Sequence, residues 1–247
     1  MTAEKIMDRQ TGVALWRQIA DRIRLSINSG EFDDTGMMPP EKVLAARFGV
    51  NRHTVRSALA TLADEGIVRP LQGIGTRIER RDRLSFPIAR RTRFSTGLGD
   101  QARALKGALL AHGEEPASAR VANALGIEIT TACIRLETVH SADDRPVSHA
   151  VNYFPSGRFS GIADAYARTG SITQALREMD VADYVRQTTE ISATHAHGSD
   201  LDILRLSPGA ILLVTEAVNA DLEGRRIQYS TTRFAADRVS FLVDTAL

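Results

Sequence analysis

The chain has 247 residues, 43% of them hydrophobic and 25% charged, which suits two modest globular domains and excludes a chain that stays disordered. Its single cysteine, Cys133, cannot form an internal disulfide and has no Cys or His companions at metal-ligand spacing, so a stapled secreted scaffold and a zinc finger are excluded and a reducing, cytoplasmic setting is expected. Net charge is only +1, yet residues 47–93 carry 11 basic side chains, all arginine, against 4 acidic ones, while residues 94–247 carry 14 against 19; the basic excess is local, which excludes a protein that packages nucleic acid over its whole surface.

No window approaches the roughly 20 apolar residues of a membrane span, and residues 1–9 mix charges without the apolar core of a signal peptide. From Val13 to Ile27, Trp16, Ile19, Ala20, Ile23 and Ile27 recur at helical spacing, with Arg17, Asp21, Arg22 and Arg24 between them. This predicts an amphipathic helix ending near Ser29-Gly30. Pro39-Pro40-Glu41 opens a second helix carrying Val43, Leu44 and Phe48 and stopping at Gly49, because proline is tolerated in a first turn, where its missing N–H has no partner to lose. Asn51 then caps a third helix to about Glu65, with Val55, Ala58, Leu59 and Leu62 inward and Arg52, His53 and Arg56 outward. Two helices joined through Phe48-Gly49-Val50-Asn51 predict a helix-turn-helix, whose second helix would meet base edges in a major groove. Ile67-Val68-Arg69 and Gly75-Thr76-Arg77-Ile78 predict a hairpin around Leu71-Gln72-Gly73-Ile74, that is, a wing.

The run Met38 to Arg56, with Asp64-Glu65-Gly66-Ile67-Val68 and Gln72-Gly73-Ile74-Gly75-Thr76, resembles the DNA-binding domain of GntR-family bacterial transcription regulators over about 65 residues. The string Val50-Asn51-Arg52-His53-Thr54 is most similar to regulators of phosphonate-uptake and phosphonate-degradation operons. The resemblance implies that Lys42, Asn51, Arg52, His53, Thr54 and Arg56 touch DNA, together with Gln72 and Gly73 at the wing tip. Pro40 stands where the family usually has a small polar residue, and Ile74 where it usually has a basic one.

Residues 81–92 are charged, contain Pro87 and lack periodicity, so the expected organisation is a DNA-binding domain over 10–80, a linker over 81–92 and a second domain over 93–247. In the second domain the patterns predict strands over 106–112, 132–140, 146–154, 184–195, 211–220 and 226–235. Helices are expected over 116–125, after Gly170-Ser171 (with Ile172, Ala175, Leu176 and Met179 on one face) and over 199–206. Strands linked mainly by hairpins, with helices interspersed, predict an antiparallel α+β domain.

Thr92-Arg93-Phe94-Ser95, the Ala142 to Pro146 turn, Tyr153-Phe154-Pro155, Gly170-Ser171, Tyr229, Arg233-Phe234 and Asp237-Arg238 resemble the UTRA ligand-binding domain of the HutC subgroup, a fold related to chorismate lyase. The resemblance implies a small anionic effector, often phosphorylated or phosphonate-bearing, held by Arg93, Ser95, His140, Ser171, Thr173 and Arg177, with Tyr229 lining the pocket. His195 and His197 share a strand face but have no third ligand in view, so no metal is expected. No Ser/His/Asp constellation, glycine-rich nucleotide loop or paired carboxylates at helical spacing stand out, so neither a cofactor nor an enzymatic activity is expected. The expectation is a homodimeric, effector-controlled repressor of phosphonate uptake or degradation genes that reads a palindromic operator in double-stranded DNA and has no membrane partner; the alternatives are a regulator of the same family answering to a sugar phosphate or another small carboxylate or amine metabolite and, of another class, a lyase-like enzyme using the second domain.

Overall fold

The computed structural model describes residues 14–32, 34–79, 83–89, 101, 104–206 and 209–243. The chain divides into two compact units, Met1–Asp82 and Arg83–Leu247.

In the first unit, α1 (Leu15–Asn28), α2 (Glu41–Phe48) and α3 (Arg52–Asp64) precede a hairpin of β1 (Val68–Leu71) and β2 (Gly75–Ile78). The helical periodicity places Ile19 and Ile23 of α1, Leu44 of α2, and Val55, Ala58 and Leu62 of α3 in one core, all fully buried. Burial of each Ile, Leu or Val side chain among them stabilises by about 1.5–3 kcal/mol. The chain leaves α2 through Gly49, at φ +63°, a left-handed conformation that glycine adopts without strain. Asn51 then caps α3, its Oδ1 accepting from the Thr54 backbone N–H at 2.8 Å. Arg24 donates to Glu65 Oε2 at 2.6 Å and ties α1 to the end of α3. The hairpin pairs Val68 with Ile78 and Leu71 with Gly75.

The second unit contains β3 (Leu84–Pro87), β4 (Leu105–Pro116), α4 (Ala119–Leu125), β5 (Ala132–Ala142) and β6 (Arg145–Pro155). There follow α5 (Ser156–Phe159), α6 (Ile162–Thr169), α7 (Ile172–Glu178), β7 (Tyr184–His195), α8 (Ser199–Ile203), β8 (Ile211–Asp221), β9 (Arg226–Ala235) and β10 (Val239–Leu242). Six strands form one antiparallel sheet in the order β4-β5-β6-β9-β8-β7. Alternation along the strands separates two faces. One face packs Ile134, Leu136 and Phe154 against Phe159, Ile162, Tyr166 and Leu176 of α5–α7. The other packs Cys133 and Tyr229 against Val121, Ala122 and Leu125 of α4.

The structure differs from the sequence expectations at several places, α5 and β10 being two elements the sequence does not predict. Within the stretch expected to be a linker, Leu84–Pro87 forms β3 and pairs in parallel with β10; Phe86 is buried, 5.2 Å from the ring of Phe234, so its alternating apolar residues serve the second unit's core. Strand β4 runs on to Pro116, where a helix was expected to begin, and α4 starts only after its Ser118 cap. Helix α6, which the sequence reading did not anticipate, buries Ile162, Ala163, Ala165 and Tyr166.

Candidate nucleic-acid interface and effector cavity

The capped start of α3 determines where the arginines point. With Val55, Ala58, Leu59 and Leu62 buried on one side, Arg52 and Arg56 emerge on the other, their side chains 62% and 60% exposed. His53 is exposed beside them. Both guanidinium groups meet Glu41 at the start of α2. Arg56 donates from Nε to Oε1 at 3.1 Å and from Nη2 to Oε2 at 3.0 Å, and Arg52 Nη2 lies 3.6 Å from Oε2. The hydrogen bonds from Arg56 hold the Glu41 carboxyl below its usual range, and the same contact raises the Arg56 guanidinium. A surface carboxylate thus gathers two flexible forks on one side of the helix, where each could pair bidentately with a phosphate or guanine edge.

Lys42 is exposed on α2. Asn51 and Thr54 are occupied locally: Asn51 Oδ1 accepts from both the backbone N–H and the hydroxyl of Thr54, each at 2.8 Å. At the wing tip, Gln72, Gly73 and Ile74 are all exposed, Ile74 to 73%, and Gly73 has φ +74°. Arg47 is paired with Glu31, which leaves it a structural role within its own unit.

The second unit contains a cleft-like cavity of about 530 Å³, of the size small-molecule sites take. Its floor is the polar part of the α5–α7 face of the sheet. Ser148 and Asn152 of β6, Thr215 and Asn219 of β8, and Gln228 and Ser230 of β9 all line it and are all buried. The hydroxyl of Ser148, fully buried in this wall, has no hydrogen-bond partner. Leaving such a group unpaired costs about 1–3 kcal/mol, a cost that a bound polar ligand would offset. The opposite wall comes from the α6–α7 corner, Ala167 to Gln174. That corner sits directly on β4: a Cβ at Gly107 would lie 2.2 Å from the Gly170 carbonyl oxygen and 2.7 Å from Tyr166 Oη. Only glycine permits this approach, and Gly170 itself turns at φ +62°.

Among the residues implied to hold the effector, His140, Ser171 and Thr173 line the cavity. Burial holds the His140 imidazole down to about 4, so it is neutral near pH 7; its Nε2 lies 3.3 Å from Tyr166 Oη. Burial also pushes the Tyr166 phenol up to about 12. The Ser171 hydroxyl caps α7 by accepting from Gln174 N at 3.4 Å, and Thr173 is bonded to the Tyr184 hydroxyl at 2.8 Å. Arg177 is exposed and does not line the cavity. Tyr229 lies on the α4 face of the sheet, stacked on Tyr153 and donating to Glu216 Oε2 at 2.7 Å; on β9 the residues that reach the cavity are Gln228, Ser230, Thr232 and Phe234, the opposite parity. Arg93 and Ser95 lie outside the described residues. The sequence reading missed Arg186, Ser148, Asn152, Asn219 and Gln228. Its available signal was period-two recurrence of polar side chains, Gln228-Ser230-Thr232 on β9, at positions where a two-layer fold calls for apolar ones.

Among the described residues no group of three His, Cys, Asp or Glu side chains could hold a metal ion, and no helix is long and apolar enough to cross a membrane. The bacterial regulatory proteins, gntR family, match residues 15–78, and the UTRA domain matches residues 100–240. The chain belongs to the GntR family. It is a DNA-binding transcription regulator with a UTRA effector domain, and its relatives are regulators, not enzymes. An uncharacterized HTH-type transcriptional regulator of Rhizobium meliloti (strain 1021) is 59% identical over 98% of this chain and 99% of that protein. The probable transcriptional regulator PhnF of Escherichia coli (strain K12) is 32% identical over 84% of this chain and 86% of that protein. In fold, the crystal structure of PhnF from Mycobacterium smegmatis superposes with a TM-score of 0.62, covering 91% of this chain and 99% of that one at 20% identity.

Proposed function

We propose that this GntR/UTRA regulator is a cytoplasmic homodimer that represses phosphonate uptake or degradation genes and is controlled by a small phosphonate-like anion bound in the cavity of the second unit. One observation carries the regulatory part: Arg52 and Arg56 stand outward on a capped helix in one unit, while a ligand-sized cavity with a polar floor occupies the other. The phosphonate assignment is supported by the likeness of Val50-Asn51-Arg52-His53-Thr54 to regulators of such operons and by the 32% identity to PhnF.

In this reading Arg52, His53 and Arg56 contact base edges, Lys42 and the Gln72-Gly73 wing tip hold the backbone, and Asn51 with Thr54 fixes the helix start. His140, Ser171 and Thr173 contribute to the effector site. Two half-sites of a palindrome require recognition helices about 34 Å apart, or a multiple of that. An effector that favours another spacing shifts the dimer away from the operator by its difference in affinity for the two states. The test is a gel-shift titration with DNA from upstream of the regulator's own gene, with and without methylphosphonate and 2-aminoethylphosphonate. Retardation at low protein concentration that either compound reverses supports the proposal. No retardation of any such fragment at low salt overturns it, and retardation indifferent to both compounds overturns the phosphonate assignment.

A further inference from the structure

Four side chains that can carry positive charge line the cavity: Lys106, His140, Arg168 and Arg186. Lys106 Nζ is paired with Asp144 Oδ1 at 2.7 Å, Arg168 is paired with Glu178, and His140 is neutral near pH 7. Arg186, on β7, differs from all three. Among the described residues it forms no ion pair, and no Asp or Glu lines the cavity. Burial pushes its guanidinium below the ordinary value, with only a partial offset from Tyr184. A desolvated cation with no counter-ion is expensive to keep and is usually found paired or hydrogen-bonded.

Its hydrogen bonding explains how it is held. Arg186 Nε donates to Asn219 Oδ1 at 3.3 Å. Asn219 Nδ2 donates to Gln228 Oε1 at 2.7 Å, Gln228 Nε2 donates to Asn152 Oδ1 at 2.8 Å, and Asn152 Nδ2 donates to the Leu136 carbonyl at 3.5 Å. The chain crosses the sheet from β7 through β8, β9 and β6 to β5, and it runs one way. A guanidinium can only donate and a carbonyl can only accept, so the two ends dictate the orientation of all three amides between them. Turning any one amide would break a bond on each side. The row therefore fixes the Nε edge of Arg186, which lines the cavity, and leaves its two Nη groups without a hydrogen-bond partner among the described residues.

We propose that Arg186 is the anion anchor of this cavity, its Nη groups taking the carboxylate, phosphonate or phosphate oxygens of the effector, with Asn219, Gln228 and Asn152 as the positioning row behind it. This rests on the reading of the cavity as the effector site. It differs from the arrangement implied by family likeness in placing the charge contact on β7 and not on Arg177 or His140.

The test uses the full chain in thermal-shift and calorimetric titrations with methylphosphonate, inorganic phosphate, glycerol 3-phosphate and lactate, which share anionic oxygens and differ in their bodies. Wild type binds at least one of these probes. Arg186→Gln leaves the unliganded melting temperature unchanged or raises it, because a half-buried charge without an ion-pair partner is gone, and weakens that probe about 10–100-fold, as expected for one lost charge-assisted contact. Arg186→Lys keeps the charge and loses the fork, so it binds between the two. Asn219→Ala weakens the probe without changing its preference among the four. If Arg186→Gln lowers the unliganded melting temperature and binds as wild type does, the residue is structural and the proposal is wrong while the effector-site reading stands. If Arg186→Gln does not fold, Arg186→Lys decides: unchanged affinity overturns the forked contact. If wild type binds none of the four probes, the anionic-effector reading and this inference fall together.

Discussion

The buried imidazole of His140 gives a stability signature that can be worked through quantitatively. In the unfolded chain this histidine has its ordinary value of 6.5, and in the folded protein burial holds it at about 4. Between these two values the unfolded state binds the extra proton and the folded state does not. Stability contributed at this site is therefore fully present above pH 6.5 and is lost as pH falls toward 4. Integrating over the window from pH 7 to pH 5 gives a loss of about 2 kcal/mol attributable to this one ring. His140→Gln removes the titration and keeps a polar group able to meet the Tyr166 hydroxyl, which lies 3.3 Å from the imidazole Nε2. Urea denaturation followed by far-UV circular dichroism at pH 5, 6 and 7 measures the effect. The single tryptophan, Trp16, reports separately on the DNA-binding unit by fluorescence. Wild type should lose about 2 kcal/mol more than His140→Gln across that range, with the tryptophan transition moving equally in both. Parallel pH profiles for the two proteins would refute the claim that His140 is held neutral by burial.

Three further outcomes follow from the geometry. Gly107→Ala puts a methyl carbon into the Gly170 carbonyl and the Tyr166 hydroxyl; the α6–α7 corner must shift, at about 1–3 kcal/mol, so the second unit's melting temperature falls, and effector response falls with it. Asn51→Ala removes the acceptor for both Thr54 groups and should cost the first unit about 1 kcal/mol; Asn51→Asp keeps the cap, so stability equal to wild type is expected, checked by the Trp16 unfolding transition. Glu41→Gln leaves Arg52 and Arg56 without their acidic partner; fluorescence anisotropy should show tighter binding to unrelated duplex at low salt and a smaller ratio of operator to unrelated affinity.

Much of the first unit was legible because three independent signals coincide there. The 3.6-residue period of Ile19, Ile23 and Ile27, the Gly49 stop and the Asn51 cap each mark boundaries within one or two residues of those in the structure. The second unit was readable strand by strand where hairpin turns separate apolar runs, as at Asp221 to Gly224. It was unreadable where pairing is non-local. Strand β3 reaches its partner β10 about 155 residues later in the chain, and nothing in the short run Leu84–Pro87 announces a parallel partner so distant. Helix α6 escaped because Gly157, Gly161 and Gly170 interrupt a short period, although Ile162, Ala163, Ala165 and Tyr166 do form one buried stripe. The cavity was half legible. His140, Ser171 and Thr173 were in view from family likeness. Asn152, Asn219 and Gln228 lie on three strands whose adjacency depends on the sheet order, and only that order lines up their amides behind Arg186.

Titration of the regulator against labelled DNA from upstream of its own gene, by fluorescence anisotropy, tests most directly the claim that α3 reads DNA. Wild type, Arg52→Ala and Arg56→Ala should share one unfolding profile, since both side chains are more than half exposed. The account predicts that wild type binds the fragment well above unrelated duplex and that each substitution weakens specific binding by about 1–3 kcal/mol. Folded variants that bind the fragment as tightly and as selectively as wild type would contradict it.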